Sequence, residues 1–137
     1  MSEENQLTEE QSKQWVREQY LKATKYLADK GIVTKSVITT ESRYIVPVVA
    51  VWKLVTMTGE SVWVIGGDVP SDHIAVSAAG DAREALRNFS MKWQLQADNL
   101  LALPGQDKTQ TDFAHLLISR AEGLYHLFED EKLWNMA

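Results

Sequence analysis

The stretch 44–68 constrains this chain more than any other: Tyr-Ile-Val-Pro-Val-Val-Ala-Val-Trp-Lys-Leu-Val-Thr-Met-Thr-Gly-Glu-Ser-Val-Trp-Val-Ile-Gly-Gly-Asp. β-Branched and aromatic residues suit a pleated, half-buried surface. Thr58-Gly59 breaks the run with the glycine that a tight hairpin turn favours. The stretch therefore reads as a strand over 44–57, a turn at Thr58-Gly59-Glu60 and a return strand over 61–65. Pro47 has no amide hydrogen for a ladder, so that end belongs at an edge or a bulge. If Thr58-Gly59 is the whole loop, Met57 faces Glu60, Val55 faces Val62 and Lys53 faces Val64; a four-residue loop keeps the same register. Trp52 and Leu54 then share a face with Trp63 and Ile65, the side expected beneath helices. The Lys53 side is expected to be half exposed or thinly covered.

Helical patterns flank this hairpin. Thr8-Glu9-Glu10-Gln11 has the form of a capping box, and Trp15, Val16, Ala23, Tyr26 and Leu27 fall in one arc at about 100° per residue. A first helix is predicted over 9–30, stopped at Gly31. Residues 32–40 are rich in Ile, Val and Thr and read as a strand, with Glu41-Ser42-Arg43 as a polar turn. After the hairpin, a short fourth strand over 74–77 is weakly signalled. Asp81, with Glu84 three residues on, caps a second helix. Its apolar stripe is Ala82, Ala85, Leu86, Phe89, Trp93, Ala97 and Leu100, and Pro104-Gly105 ends it. Thr111 and Asp112 are read as the start of a third helix, running to about Lys132, with Phe113, Leu116, Leu117, Leu124, Leu127 and Phe128 on one side. Leu133, Trp134 and Met136 suggest a docked C-terminus.

Helices segregated from an antiparallel meander define an α+β fold. The prediction is a three- to four-stranded antiparallel sheet packed by three helices, in the order α-β-β-β-(β)-α-α. At 137 residues the chain suits one compact domain over 8–137, behind a flexible tail at 1–7. The 19 acidic residues against 14 basic ones, net charge −5, argue against binding a phosphate backbone. The absence of cysteine removes disulfides, a thiolate nucleophile and cysteine-based zinc sites, and fits a reducing compartment. The N-terminus is acidic and polar, unlike a signal peptide, and the most apolar run, 45–55, is too short to span a bilayer. A cytoplasmic location is expected, with no nucleic-acid or membrane partner.

The run Trp63-Val-Ile-Gly-Gly-Asp-Val-Pro-Ser-Asp-His73, followed by Ala82-Arg-Glu-Ala-Leu-Arg-Asn-Phe-Ser-Met-Lys-Trp-Gln94, resembles a family of small bacterial proteins of unknown function. The segment Gln14-Trp15-Val16-Arg17 fits the same pattern, so the resemblance covers most of the chain. It implies a bacterial, cytosolic protein and carries over no catalytic or binding residue.

The best site candidate is the loop after the hairpin, which holds Asp68, Ser71, Asp72 and His73 beside two glycines that could admit a ligand to the backbone. A carboxylate next to an imidazole can orient a general base or hold a metal. Yet Asp, Ser, Pro and Gly are also what an ordinary turn uses, and Gly66-Gly67-Asp68 lacks the third glycine of a dinucleotide fingerprint. On the third helix His115, Glu122, His126 and Glu129 share an arc, but opposite the apolar stripe, where a metal would have no enclosure. No metal, cofactor or catalytic set is assigned. Arg120 points into its helix's apolar arc, so it needs a carboxylate or a ligand anion, or else snorkels; Asp68 is one conceivable partner. Met91 and Leu95 lie nearly opposite the stripe of the second helix. Either the domain covers them or they meet a partner chain, which allows a homodimer through this helix. Two functions are therefore carried forward. The first is a non-catalytic interaction or accessory module; the alternative is a small-molecule-binding protein or enzyme built on Asp68, Asp72, His73 and Arg120.

Overall fold

A computed structural model describes residues 7–135, which fall in two compact units, Met1–Val76 and Ser77–Ala137. Apart from Leu7, which is exposed, the predicted tail lies outside the described residues.

The first unit begins with α1, Glu9–Asp29. Thr8 Oγ1 accepts from the Gln11 amide at 3.0 Å and Gln11 Oε1 accepts from the Thr8 amide at 2.8 Å, so the capping box forms as read. The other end closes with the Ile32 amide on the Leu27 carbonyl and the Gly31 amide on that of Ala28, both at 2.9 Å, while Gly31 adopts φ 83°. This is the paired bonding of a Schellman stop, and the left-handed position falls on the residue without a Cβ.

Five antiparallel strands follow: β1 Thr34–Val37, β2 Arg43–Ile45, β3 Val49–Thr56, β4 Ser61–Gly67 and β5 Asp72–Ala75. The order across the sheet is β1-β3-β4-β5, with β2 also paired to β3. The α+β class and the antiparallel meander stand as predicted. The strand number rises to five for two reasons. The weakly signalled fourth strand forms, two residues earlier than expected, and Pro47 divides the long strand. Pro47 sits in a turn with a cis Val46–Pro47 bond, and the Val48 amide returns to the Ile45 carbonyl at 2.7 Å. β2 therefore folds back on β3, pairing Ile45 with Val49 and Arg43 with Val51.

The hairpin register differs from the expected one. Lys53 pairs with Trp63, Trp52 with Val64 and Val55 with Ser61. The cause is a three-residue loop. The Thr56 amide bonds to the Glu60 carbonyl at 2.8 Å, the Gly59 amide to the Thr56 carbonyl at 2.9 Å, and Gly59 takes φ 91°. That is a turn closed by a left-handed glycine, the usual three-residue hairpin. Because side chains alternate, one residue of slip moves Trp63 and Ile65 to the face opposite Trp52.

Each face then has its own content. Ala23 and Leu27 of α1 pack with Ala50, Trp52, Leu54 and Val64, flanked by Tyr20, Tyr26 and Tyr44. Val49, Val51, Trp63, Ile65 and Ile74 make up the other face and are also buried, so the Lys53 side is not the thinly covered one. Lys53 pairs there with Glu41 at 2.9 Å and lies over the Trp63 ring at 5.5 Å.

The second unit is a helical hairpin of α2, Ala82–Ala102, and α3, Lys108–Glu129. Asp81 caps α2, accepting from the Glu84 amide at 2.8 Å. α3 starts three residues before the predicted Thr111, because Asp107 and Gln110 form a second capping box. Its buried stripe is Ala114, Leu117, Ala121 and Leu124, while Phe113 and Leu116 are exposed, so the helix is rotated from the orientation its larger side chains suggest. Small residues explain the rotation. Ser90 is fully buried on α2 and donates to the Ala121 carbonyl at 2.7 Å, which requires the two backbones to approach closely. The C-terminal segment docks as expected. Trp134 Nε1 donates to the Leu127 carbonyl at 2.9 Å, and the Arg83 guanidinium lies over both the Phe128 and Trp134 rings. Met136 lies outside the described residues.

Candidate functional site

The loop after β4 brings together only part of the predicted set. Asp68 is exposed, with its amide bonded to the Val48 carbonyl at 2.8 Å. Ser71 is half-buried. Asp72 and His73 open β5, an edge strand, where His73 pairs with Val64 on the face that α1 covers. Its partner is a residue the sequence reading did not single out for this role. Tyr26 Oη of α1 lies 2.9 Å from His73 Nδ1, and the two rings meet edge to face at 5.6 Å. No local signal could have paired them, since 47 positions separate the two residues.

Burial first, and then the neighbouring Asp72 carboxylate by its charge and by accepting a hydrogen bond, together push the Tyr26 phenol up to about 12. A phenol has one proton to give. The bond between Tyr26 Oη and His73 Nδ1 can run in either direction, as the imidazole tautomer dictates. Asp72 Oδ1 also accepts from the His73 amide at 2.8 Å, and Lys30 Nζ sits 5.1 Å from the centre of the Tyr26 ring. Tyr26 is thus held neutral at physiological pH, as a hydrogen-bond donor and not a nucleophile. Chemically the cluster fastens α1 to the sheet edge.

The two glycines beside this cluster serve close packing. At Gly67, with φ 117°, a Cβ would lie 2.5 Å from the Val48 carbonyl oxygen and 2.9 Å from Val49 Cα. The space is taken by the neighbouring strand, not left open to a ligand. At Gly66 a Cβ would meet Gln19 Oε1 of α1 at 3.6 Å.

The remaining candidates lie on the helical hairpin. Arg120 is half-buried on α3 and makes no ion pair among the described residues. His115, Glu122, His126 and Glu129 are all exposed on that helix. Met91 and Leu95 are 53% and 63% exposed, on the side of α2 away from Phe89, Trp93 and Ala97, which are buried. A shallow groove of 410 Å³ runs beside Leu95, lined also by Lys92, Gln96, Asn99, Leu100 and Leu103. Leu103 is 50% exposed, so the apolar surface continues to the end of the helix.

Comparison with known proteins adds one finding. Residues 9–134 match the model of the family described as Domain of unknown function (DUF4826), so the chain belongs to that family, and the match runs through both units. No curated protein and no solved structure matches the chain. No helix among the described residues is long and apolar enough to cross a membrane.

Proposed function

We propose that this protein is a non-catalytic interaction module of the cytosol whose contact surface is the outer face of α2. One observation carries the reading: Met91 and Leu95, one turn apart, are more than half exposed on a helix whose opposite side is buried. An apolar i, i+4 pair costs solubility on a free helix face and pays off only when covered. The cluster of Tyr26, Asp72 and His73 supports the alternative less well, because His73 Nδ1 is bonded to Tyr26 and Asp72 Oδ1 accepts from the His73 amide, a structural tie between α1 and the sheet edge. The cysteine-free composition supports a reducing compartment.

The test compares macromolecular association of the full chain with that of two variants, Met91→Glu and Asp72→Ala/His73→Ala. Association that Met91→Glu abolishes and the double variant retains is the expected result. Association that survives Met91→Glu, or none by the wild-type chain, removes the proposal.

A further inference from the structure

We infer that the occupant of this face is a second copy of the same chain, docked through α2 as an antiparallel pair about a twofold axis. The inference rests on the interaction reading above and adds the identity and register of the partner. A twofold contact must be self-complementary, since each patch meets itself in reverse. At about 100° per residue, Met91 and Leu95 form the centre line of the exposed face of α2. Arg87 and Asp98 lie along one flank of that line, Asn88 and Asn99 along the other, and all four precede or follow the apolar pair within the same helix.

Reversal about a point midway between Met91 and Leu95 sets Met91 of one copy against Leu95 of the other, twice. In an antiparallel pair related by a twofold axis, like flanks meet. Arg87 therefore comes opposite Asp98 of the second copy, and Asp98 opposite its Arg87, to within about one residue of axial rise. On the other flank Asn88 meets Asn99, two amides that can each donate and accept. The register that buries the apolar pair thus also pairs opposite charges twice. A parallel pairing would instead bring unlike flanks together, setting Arg87 beside Asn88 and Asp98 beside Asn99, with neither charge paired. Within its own chain Arg87 has only Glu84, at 3.9 Å with both side chains about half exposed, and Asp98 has no ion-pair partner among the described residues. The groove beside Leu95 leaves room at the seam for the long Met91 side chain of the other copy. Two apolar residues and a charged flank fall short of the roughly 800 Å² per partner of a standard interface. The dimer is accordingly weak and concentration-dependent.

Sedimentation velocity of the full chain, from micromolar to near-millimolar, tests this directly. The wild-type mass is expected to rise toward twice that of the chain. Leu95→Glu should stay at the monomer mass with an unchanged melt, since the side chain it replaces is exposed. Arg87→Glu alone and Asp98→Arg alone should each move the midpoint about tenfold or more to higher concentration, and the double variant R87E/D98R should recover the wild-type midpoint. A wild-type chain that remains monomeric throughout overturns the second copy. So does a double variant no better than the singles, because a partner of different sequence, or a different register, would not be repaired by the swap. If the wild type stays monomeric yet a different protein is lost on Met91→Glu, the self-pairing fails while the interaction module survives.

Discussion

Gly67→Ala is the sharpest test of the sheet as described. Gly67 ends β4 opposite Val49, with φ 117°, in a region that side chains rarely occupy. An added methyl carbon would stand 2.5 Å from the Val48 carbonyl oxygen, which already accepts from the Asp68 amide at 2.8 Å. Relief cannot come from a side-chain rotation, because the obstacles are backbone atoms of the neighbouring strand. Moving that strand would break the Asp68 bond and disturb the ladder. Backbone strain of about 1–3 kcal/mol adds to an overpacking cost of about 1–3 kcal/mol, so a loss of about 4 kcal/mol is expected. That is a large share of the roughly 5–15 kcal/mol that holds a domain together. Gly31→Ala is the control within the same unit: it also has positive φ, at 83°, but nothing lies within 4 Å of its added Cβ. Only the left-handed penalty of about 1–2 kcal/mol applies there. Urea unfolding followed by tryptophan fluorescence measures both. If Gly67→Ala costs no more than Gly31→Ala, the close approach of β3 to β4 at this point is wrong.

Tyr26→Phe should remove an alkaline sensitivity that the wild type shows. The folded phenol titrates near 12 against an ordinary 10.0, so the folded state holds its proton more tightly than the unfolded one. The stability this contributes is complete below pH 10 and is lost as the pH rises from there through about 12. The difference in unfolding free energy between wild type and Tyr26→Phe should therefore shrink across that window; a constant difference would mean that folding does not raise the phenol above its ordinary value. Trp52→Ala and Trp63→Ala should each cost roughly 3–5 kcal/mol in thermal or urea melts, since both rings are buried. Near-wild-type melts for both would contradict the sheet core.

How far the sequence could be read depended on the range of the signal. Caps are local and came through: Thr8 with Gln11, Asp81 with Glu84, and the Gly31 stop lie where residue chemistry places them. The start of α3 carries the same signal, Asp107 followed by Gln110, but the more conspicuous Thr111-Asp112 draws the reading three residues too far. The rotation of α3 has a different origin. Hydrophobic size favours a stripe through Phe113 and Leu116, whereas close helix approach favours Ala114 and Ala121, and only the Ser90 bond to the Ala121 carbonyl reveals which consideration prevails. The exposed face of α2 was legible because Met91 and Leu95 break the periodicity of their own helix. Tyr26 was not, because its role exists only once β5 lies beside α1.

The hairpin at the centre of the chain shows how a small local choice propagates. Its strands, turn and edge proline are all visible in composition, and Thr58-Gly59 is compatible with a two-residue loop. Placing glycine last in a three-residue loop is equally good chemistry, because the left-handed residue then closes the turn. The two choices differ by one residue, but in an alternating strand one residue exchanges the faces. Trp63 moves from beside Trp52 to beside Lys53, and the lysine face becomes a buried aromatic layer whose charge is answered by Glu41. A single tryptophan floor under α1 is replaced by one tryptophan on each side of the sheet, and loss of either ring empties a different packing layer. Trp52→Ala and Trp63→Ala should therefore destabilise nearly additively, whereas two rings stacked on one face would show coupling of about 0.5–3 kcal/mol in a double-mutant cycle. The cycle thus tells the two loop lengths apart without a structure.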